Sequence, residues 1–230
     1  MVAWVVGVVL LVGLGVYVWE RVTDEPDVLL VGDSILRQTG GVLPDELPDY
    51  EVANRAVNGS GLLNPAVYDW VERLPGLLAQ HQPEKTVVLF IGNYAPEDQW
   101  WIGPDGKPVR PDSPQFFAEW RAQSEKIVTE LEASGTEIYW VLPPPVGNDA
   151  GNETIIGLRE VYRDLAEDHP SVTLVDAAPS LTDGTGEFVG SVSDEDGDTL
   201  VLRVADGVHL GEEGARRMAA VIAEAVLAAA

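Results

Sequence analysis

Between residues 28 and 229, short apolar runs alternate five times with segments of helical periodicity. Few architectures accommodate that rhythm. Residues 28–31 (Val-Leu-Leu-Val), 50–57, 86–91, 137–142 and 172–175 read as strands, and residues 35–40, 62–80, 116–133, 154–167 and 211–229 as helices. A strand followed by a helix followed by a strand predicts a parallel sheet covered by helices on both faces. In such sheets, sites lie beyond the carboxyl ends of the strands. Two segments break the alternation. Residues 97–115 form a long loop containing Trp100-Trp101, and residues 184–204 read as a β-hairpin with arms at 187–189 and 199–204. Its turn carries Asp194, Asp196 and Asp198, spaced like the first ligands of a calcium loop. Thr199 and Ala205 stand where that loop needs Gly and Glu, so a solvated turn is expected rather than a metal site. Residues 44–48 read as a loop between two prolines, and Pro65 fits the first turn of the second helix.

The segment before the first strand is different in kind. Residues 2–19 are uncharged and rich in Val, Leu and Gly, with Trp4, Tyr17 and Trp19 near the ends. About 18–20 such residues span a bilayer core, and aromatic belts sit at its interfaces. No basic n-region precedes the run, so a retained single-pass anchor is expected over a cleaved signal peptide. Residues 1–19 thus read as a transmembrane anchor, 20–27 as a charged linker and 28–230 as one domain, expected on the extracytoplasmic side. With 38 acidic against 14 basic residues the net charge is −24, which opposes binding to nucleic acid. No cysteine is present, so thiolate nucleophiles and thiolate metal sites are excluded. No cofactor is expected, and oligomeric state is left open.

Strand one runs into Gly32-Asp33-Ser34, which places a serine at the start of a helix, where negative charge is favoured. Alone, the tripeptide is a common capping turn. A serine that takes part in acyl transfer needs a base, a group to orient the base, and donors for an oxyanion. Of the three histidines, His81 and His169 lie at helix ends and read as solvated or helix-terminal cations. His209 lies in the loop Asp206-Gly207-Val208-His209, where Asp206 can curl round to fix the imidazole tautomer. Gly59 after strand two, Asn93 after strand three and the Ser34 backbone N–H are candidate oxyanion donors, with Gly61 a competitor for the glycine position.

In order, Gly32-Asp33-Ser34-Ile35, Asn54-Arg55-Ala56-Val57-Asn58-Gly59, Gly92-Asn93 and Asp206-Gly207-Val208-His209 resemble the four sequence blocks of the SGNH (GDSL-type) hydrolase superfamily. Tyr94 departs from the Asp that often follows the family's Asn. The resemblance implies a flavodoxin-like three-layer α/β/α fold and a serine esterase. It assigns Ser34 as nucleophile, His209 as base, Asp206 as its orienter, and Gly59 and Asn93 as oxyanion donors, with no metal. Set beside a membrane anchor, the Trp100-Trp101 loop suggests contact with an acylated glycan or glycolipid, and removal of a small O-acyl group as the reaction. Transfer of that group to a sugar hydroxyl, or hydrolysis of small acyl esters in the manner of a lipase or thioesterase, are the alternatives.

Overall fold

A computed structural model describes residues 26–94, 100–111, 113–184 and 186–228. The expected span over residues 2–19 lies outside them. Among the described residues no helix is long and apolar enough to cross a membrane.

Five parallel strands form the central sheet: β1 (Val28–Gly32), β2 (Val52–Asn54), β3 (Lys85–Leu89), β4 (Glu137–Leu142) and β5 (Val172–Asp176), in the order β2-β1-β3-β4-β5. That is the doubly wound order of flavodoxin-like folds, whose direction reverses between β1 and β3. The helices are α1 (Ser34–Thr39), α2 (Leu43–Glu46), α3 (Trp70–His81), α4 (Pro114–Ser134), α5 (Asp149–Asp168) and α6 (Glu212–Ala228).

Because strand side chains alternate between faces, each apolar run feeds two cores. Leu29, Val31, Val88, Phe90, Ile138 and Trp140 pack against α3, α4 and α5 through Leu74, Trp120, Ile127, Leu158 and Tyr162. Val28, Leu30, Val87, Leu89, Tyr139 and Val141 face α1, α2 and α6 through Ile35, Leu36, Leu43, Met218 and Ile222. The Trp120 indole N–H donates to the Tyr162 hydroxyl (2.8 Å), which donates to the Phe90 carbonyl (2.9 Å). This buried chain pins the segment leaving β3.

Several sequence expectations need correction. The helix expected from residue 62 begins at Trp70. Pro65 disfavours helical geometry at Asn64, and Asp69 supplies the cap by accepting the Glu72 N–H at 3.1 Å. Pro75 lies inside that helix. The single turn α2 begins at Leu43 and takes up the first part of the loop expected at 44–48, with Pro44 in its first turn. The second strand is confined to Val52–Asn54 instead of 50–57. The hairpin expected over 184–204 is confined to β6 (Ser191–Ser193) and β7 (Thr199–Val201), so its arms are not 187–189 and 199–204. Its turn is closed by Asp194 Oδ1, which accepts the N–H groups of Asp196 and Asp198 at 3.0 and 2.8 Å.

His81 is not a solvated cation. It is buried and accepts the Arg55 Nε–H at 2.9 Å, and burial together with the Arg55 charge holds its pKa down. His169 is the C-cap of α5. Burial alone would lower its pKa, but hydrogen bonds to Glu125 (2.5 Å) and Glu132 (3.1 Å) outweigh that and raise it.

Candidate active site

Ser34 is the first residue of α1 and Asp33 its N-cap, accepting the Ile35 N–H at 3.0 Å. The cap therefore engages the second N–H of the helix and leaves that of Ser34 unclaimed by it. Ser34 sits at the carboxyl end of β1, beside the end of β3, at the point where the strand order reverses. His209 comes from the far end of the chain. Its Nε2 lies 2.9 Å from Ser34 Oγ, and its Nδ1 lies 2.8 Å from Asp206 Oδ2. Asp206 Oδ1 accepts the Val208 and His209 N–H groups at 2.8 and 2.9 Å. These bonds, first that of the His209 ring, pull the Asp206 carboxyl down to about 2. Near neutrality Asp206 is thus a pure acceptor. In the neutral imidazole this acceptor selects the Nδ1–H tautomer, whose Nε2 accepts the Ser34 hydroxyl. Ser34 is recessed, at 7% exposure, whereas the His209 and Asp206 side chains are 40% and 49% exposed.

The oxyanion candidates converge on the same strand ends. Asn93 follows β3, and its amide donates one N–H to the Ser60 carbonyl at 3.1 Å. An amide carries two N–H bonds, so this anchor fixes the side chain and leaves one donor to present. The two glycines have different surroundings. A Cβ on Gly61 would lie 1.9 Å from the Asn93 carbonyl oxygen, so Gly61 is what lets the post-β2 loop lie against the Asn93 backbone. Gly59 has φ +71° and open space where a Cβ would point. Gly61 is thus required by close packing and Gly59 by its positive φ, and both remain candidates for the glycine donor.

Sequence reasoning missed the residues that brace this arrangement. Ser60 is fully buried; besides holding Asn93 through its carbonyl, its hydroxyl donates to Val57 O (2.8 Å) and accepts the Trp70 indole N–H (2.9 Å). Asn64 donates to the Gly59 carbonyl at 3.2 Å. Gln38, one turn beyond Ser34 on α1, donates to Leu210 O (3.3 Å) and accepts Leu210 N–H (3.1 Å), clamping the residue after His209. Its i, i+4 relation to Ser34 was the available signal. Gly147 N–H donates to Gly207 O at 2.8 Å and holds the same loop from the β4 side.

Of the two predicted substrate contacts, Trp101 packs against the α3–α5 core and donates its indole N–H to Glu119 Oε2 at 3.3 Å. Trp100 is half-buried, and residues 95–99 before it lie outside the described chain. A cavity of about 570 Å³ opens at the ends of β4 and β5, among Pro145, Ile155, Arg159, Asp176, Pro179 and Phe188. Neither Ser34 nor His209 lines it.

Residues 27–225 match the family described as "Protein of unknown function (DUF459)". The chain belongs to this family. The comparison with curated proteins gives no match. Among solved structures, this DUF459 protein is similar to a GDSL-like lipase from Bacteroides thetaiotaomicron (16% identity, TM-score 0.57, covering 88% of each chain). It is also similar to the acetyl xylan esterase AlAXEase (20%, TM-score 0.56, 86% of this chain and 98% of that one). A third likeness is to the C-terminal catalytic domain of peptidoglycan O-acetyltransferase A from Streptococcus pneumoniae (19%, TM-score 0.51, 89% and 94%). At these identities the likeness is one of fold. The DUF459 chain has the SGNH hydrolase fold that its four sequence blocks imply.

Proposed function

We propose that this DUF459 protein is a serine carboxylic ester hydrolase of the SGNH type. Its reaction is removal of O-acyl groups, chiefly acetyl, from cell-envelope glycans or glycolipids. The observation that carries this reading is the continuous chain Ser34 Oγ, His209 Nε2, His209 Nδ1, Asp206 Oδ2, with spacings of 2.9 and 2.8 Å across its two hydrogen bonds. In the first step Ser34 Oγ bonds to the ester carbonyl carbon while its proton passes to His209 Nε2. The carbonyl oxygen becomes an oxyanion, received by the Ser34 and Gly59 N–H groups and the free Asn93 amide N–H. Collapse breaks the carbon–alkoxide bond, and the leaving alcohol takes the proton from His209. Water then repeats the sequence on the acyl-enzyme and releases the carboxylic acid.

The substrate class is supported by the named activities of the acetyl xylan esterase and the O-acetyltransferase domain, and by Trp100, an aromatic side chain able to lie against a sugar ring. The uncharged run at residues 2–19 would hold the domain at the membrane, on the extracytoplasmic side where envelope glycans lie. The test is incubation of the full-length protein with O-acetylated envelope polysaccharide, with released acetate measured. Release of acetate is expected. The second reading, O-acyl transfer, uses the same acyl-enzyme and is favoured by the likeness to the O-acetyltransferase domain. Acetyl appearing on an added sugar, with no free acetate, would select it.

Asn93→Ala is expected to slow turnover of p-nitrophenyl acetate by about 10²–10³, the usual cost of one oxyanion donor. An unchanged kcat would move that role elsewhere.

A further inference from the structure

Asp33 has no task in the steps above, yet it is wholly buried immediately beside Ser34. Its backbone N–H donates to Leu89 O at 3.2 Å and its carbonyl accepts the Arg37 N–H at 2.9 Å. Its side chain joins two segments. Oδ1 accepts the N–H of Ile35, the residue after Ser34, at 3.0 Å. Oδ2 accepts the N–H of Ile91, two residues before Asn93, at 2.7 Å. A helix cap alone needs one acceptor, which Ser, Thr or Asn supplies without a buried charge. Two N–H donors arriving at two different oxygens are best met by an ionised carboxylate, since protonation leaves one of those oxygens a hydroxyl, a weaker acceptor whose own proton must be placed, and amidation replaces it with a donor.

Keeping that carboxylate has a cost. Burial pushes the pKa of Asp33 up to about 7 from 3.8, against the pull of the Ile91 and Ile35 N–H bonds and the charge of His209. Because the folded chain holds this proton more tightly than the unfolded one, Asp33's contribution favours folding at low pH. It is lost as pH rises from about 4 through about 7. The ionisable groups facing Asp33 are His209, from the loop before α6, and the Tyr162 phenol of α5, which burial keeps neutral.

We propose that Asp33 is a positioning residue: its ionised carboxylate holds the Ser34 turn and the Asn93 segment in the register that the oxyanion requires, and a proton on it uncouples them. This rests on the esterase reading. It adds that the active form needs two groups without their protons, His209 to act as base and Asp33 to hold the two segments together.

The test uses the full-length protein and p-nitrophenyl acetate across pH. For Asp33→Asn, kcat is expected to fall about tenfold or more with KM nearly unchanged, because a misplaced oxyanion site weakens the transition state rather than substrate binding. In the wild type, log(kcat/KM) on the acid limb is expected to steepen to a slope of about two, reflecting two protons, whereas Asp33→Asn shows about one. The wild-type slope can be measured even if the variant does not fold, and a limb of unit slope throughout overturns the proposal. So does a folded Asp33→Asn whose profile superimposes on the wild type. A wild type inert toward the ester at every pH overturns the esterase reading itself.

Discussion

Ser34→Ala is expected to reduce hydrolysis of p-nitrophenyl acetate by about 10⁴–10⁶, to the level that an oxyanion site and binding alone sustain. The substitution removes the atom that bonds to the acyl carbon and leaves the rest of the site in place. The Ser34 hydroxyl makes its hydrogen bond to His209 and does not cap α1, a task that belongs to Asp33. The fold should therefore persist, and the melting temperature is the control: a variant that melts like the wild type but has lost turnover identifies Ser34 as the nucleophile. Retained turnover in a folded variant would remove that assignment, whatever the spacing between Ser34 and His209.

Asp206→Asn is expected to cost about 10³–10⁴ in kcat, through the tautomer of His209. Asp206 accepts from three donors: the His209 ring at Oδ2, and the Val208 and His209 backbone N–H groups at Oδ1. An asparagine has one acceptor oxygen. If it keeps the two backbone donors, its NH₂ faces His209 Nδ1, which must then accept. The ring proton moves to Nε2, and the base toward Ser34 is lost. The effect should be largest near neutrality, where the wild-type carboxylate, held down to about 2, is fully ionised. The share of folding stability that Asp206 supplies follows the same sense. It is present above the carboxyl's unfolded value near 4 and is lost as pH falls toward 2. A kcat within tenfold of the wild type would show that the loop backbone alone orients the imidazole.

What the chain disclosed in advance follows from which interactions are local. The sheet was legible because β1, β3 and β4 are buried on both faces and so read as unbroken apolar runs, and because alternation with helices leaves few topologies open. Asp206 and His209 were legible because three residues of one loop bring the carboxylate to the ring. The start of α3 was misread because the apolar spacing of residues 62–69 serves another purpose. Leu62 and Leu63 fill the core from an irregular loop, and Leu63 forms a bridge to Tyr94. His81 was misread because its partner, Arg55, arrives from a segment 26 residues away. Ser60 was invisible for the same reason, since its partner at Asn93 is fixed only by the assembled fold, whereas Gln38 lies one helical turn from Ser34 and only its partner, Leu210, was hidden. What distinguishes the surroundings of Gly59 and Gly61 is the backbone of a third segment at Asn93, which no spacing within the turn encodes.

The bond between Ser34 and His209 spans 175 residues, from the first strand to the loop before the last helix. Contacts of such sequence separation form late, because the intervening chain must already be ordered before closure is rewarded. On the proposed esterase reading, ester turnover is therefore a report on completed folding. A nascent chain that has built β1 to β4 holds Ser34 without His209, and a cut in the hairpin separates His209 and α6 from the segment that carries Ser34. The amino-terminal half of this domain lacks its His209 until the distal end of the polypeptide docks beside Gln38.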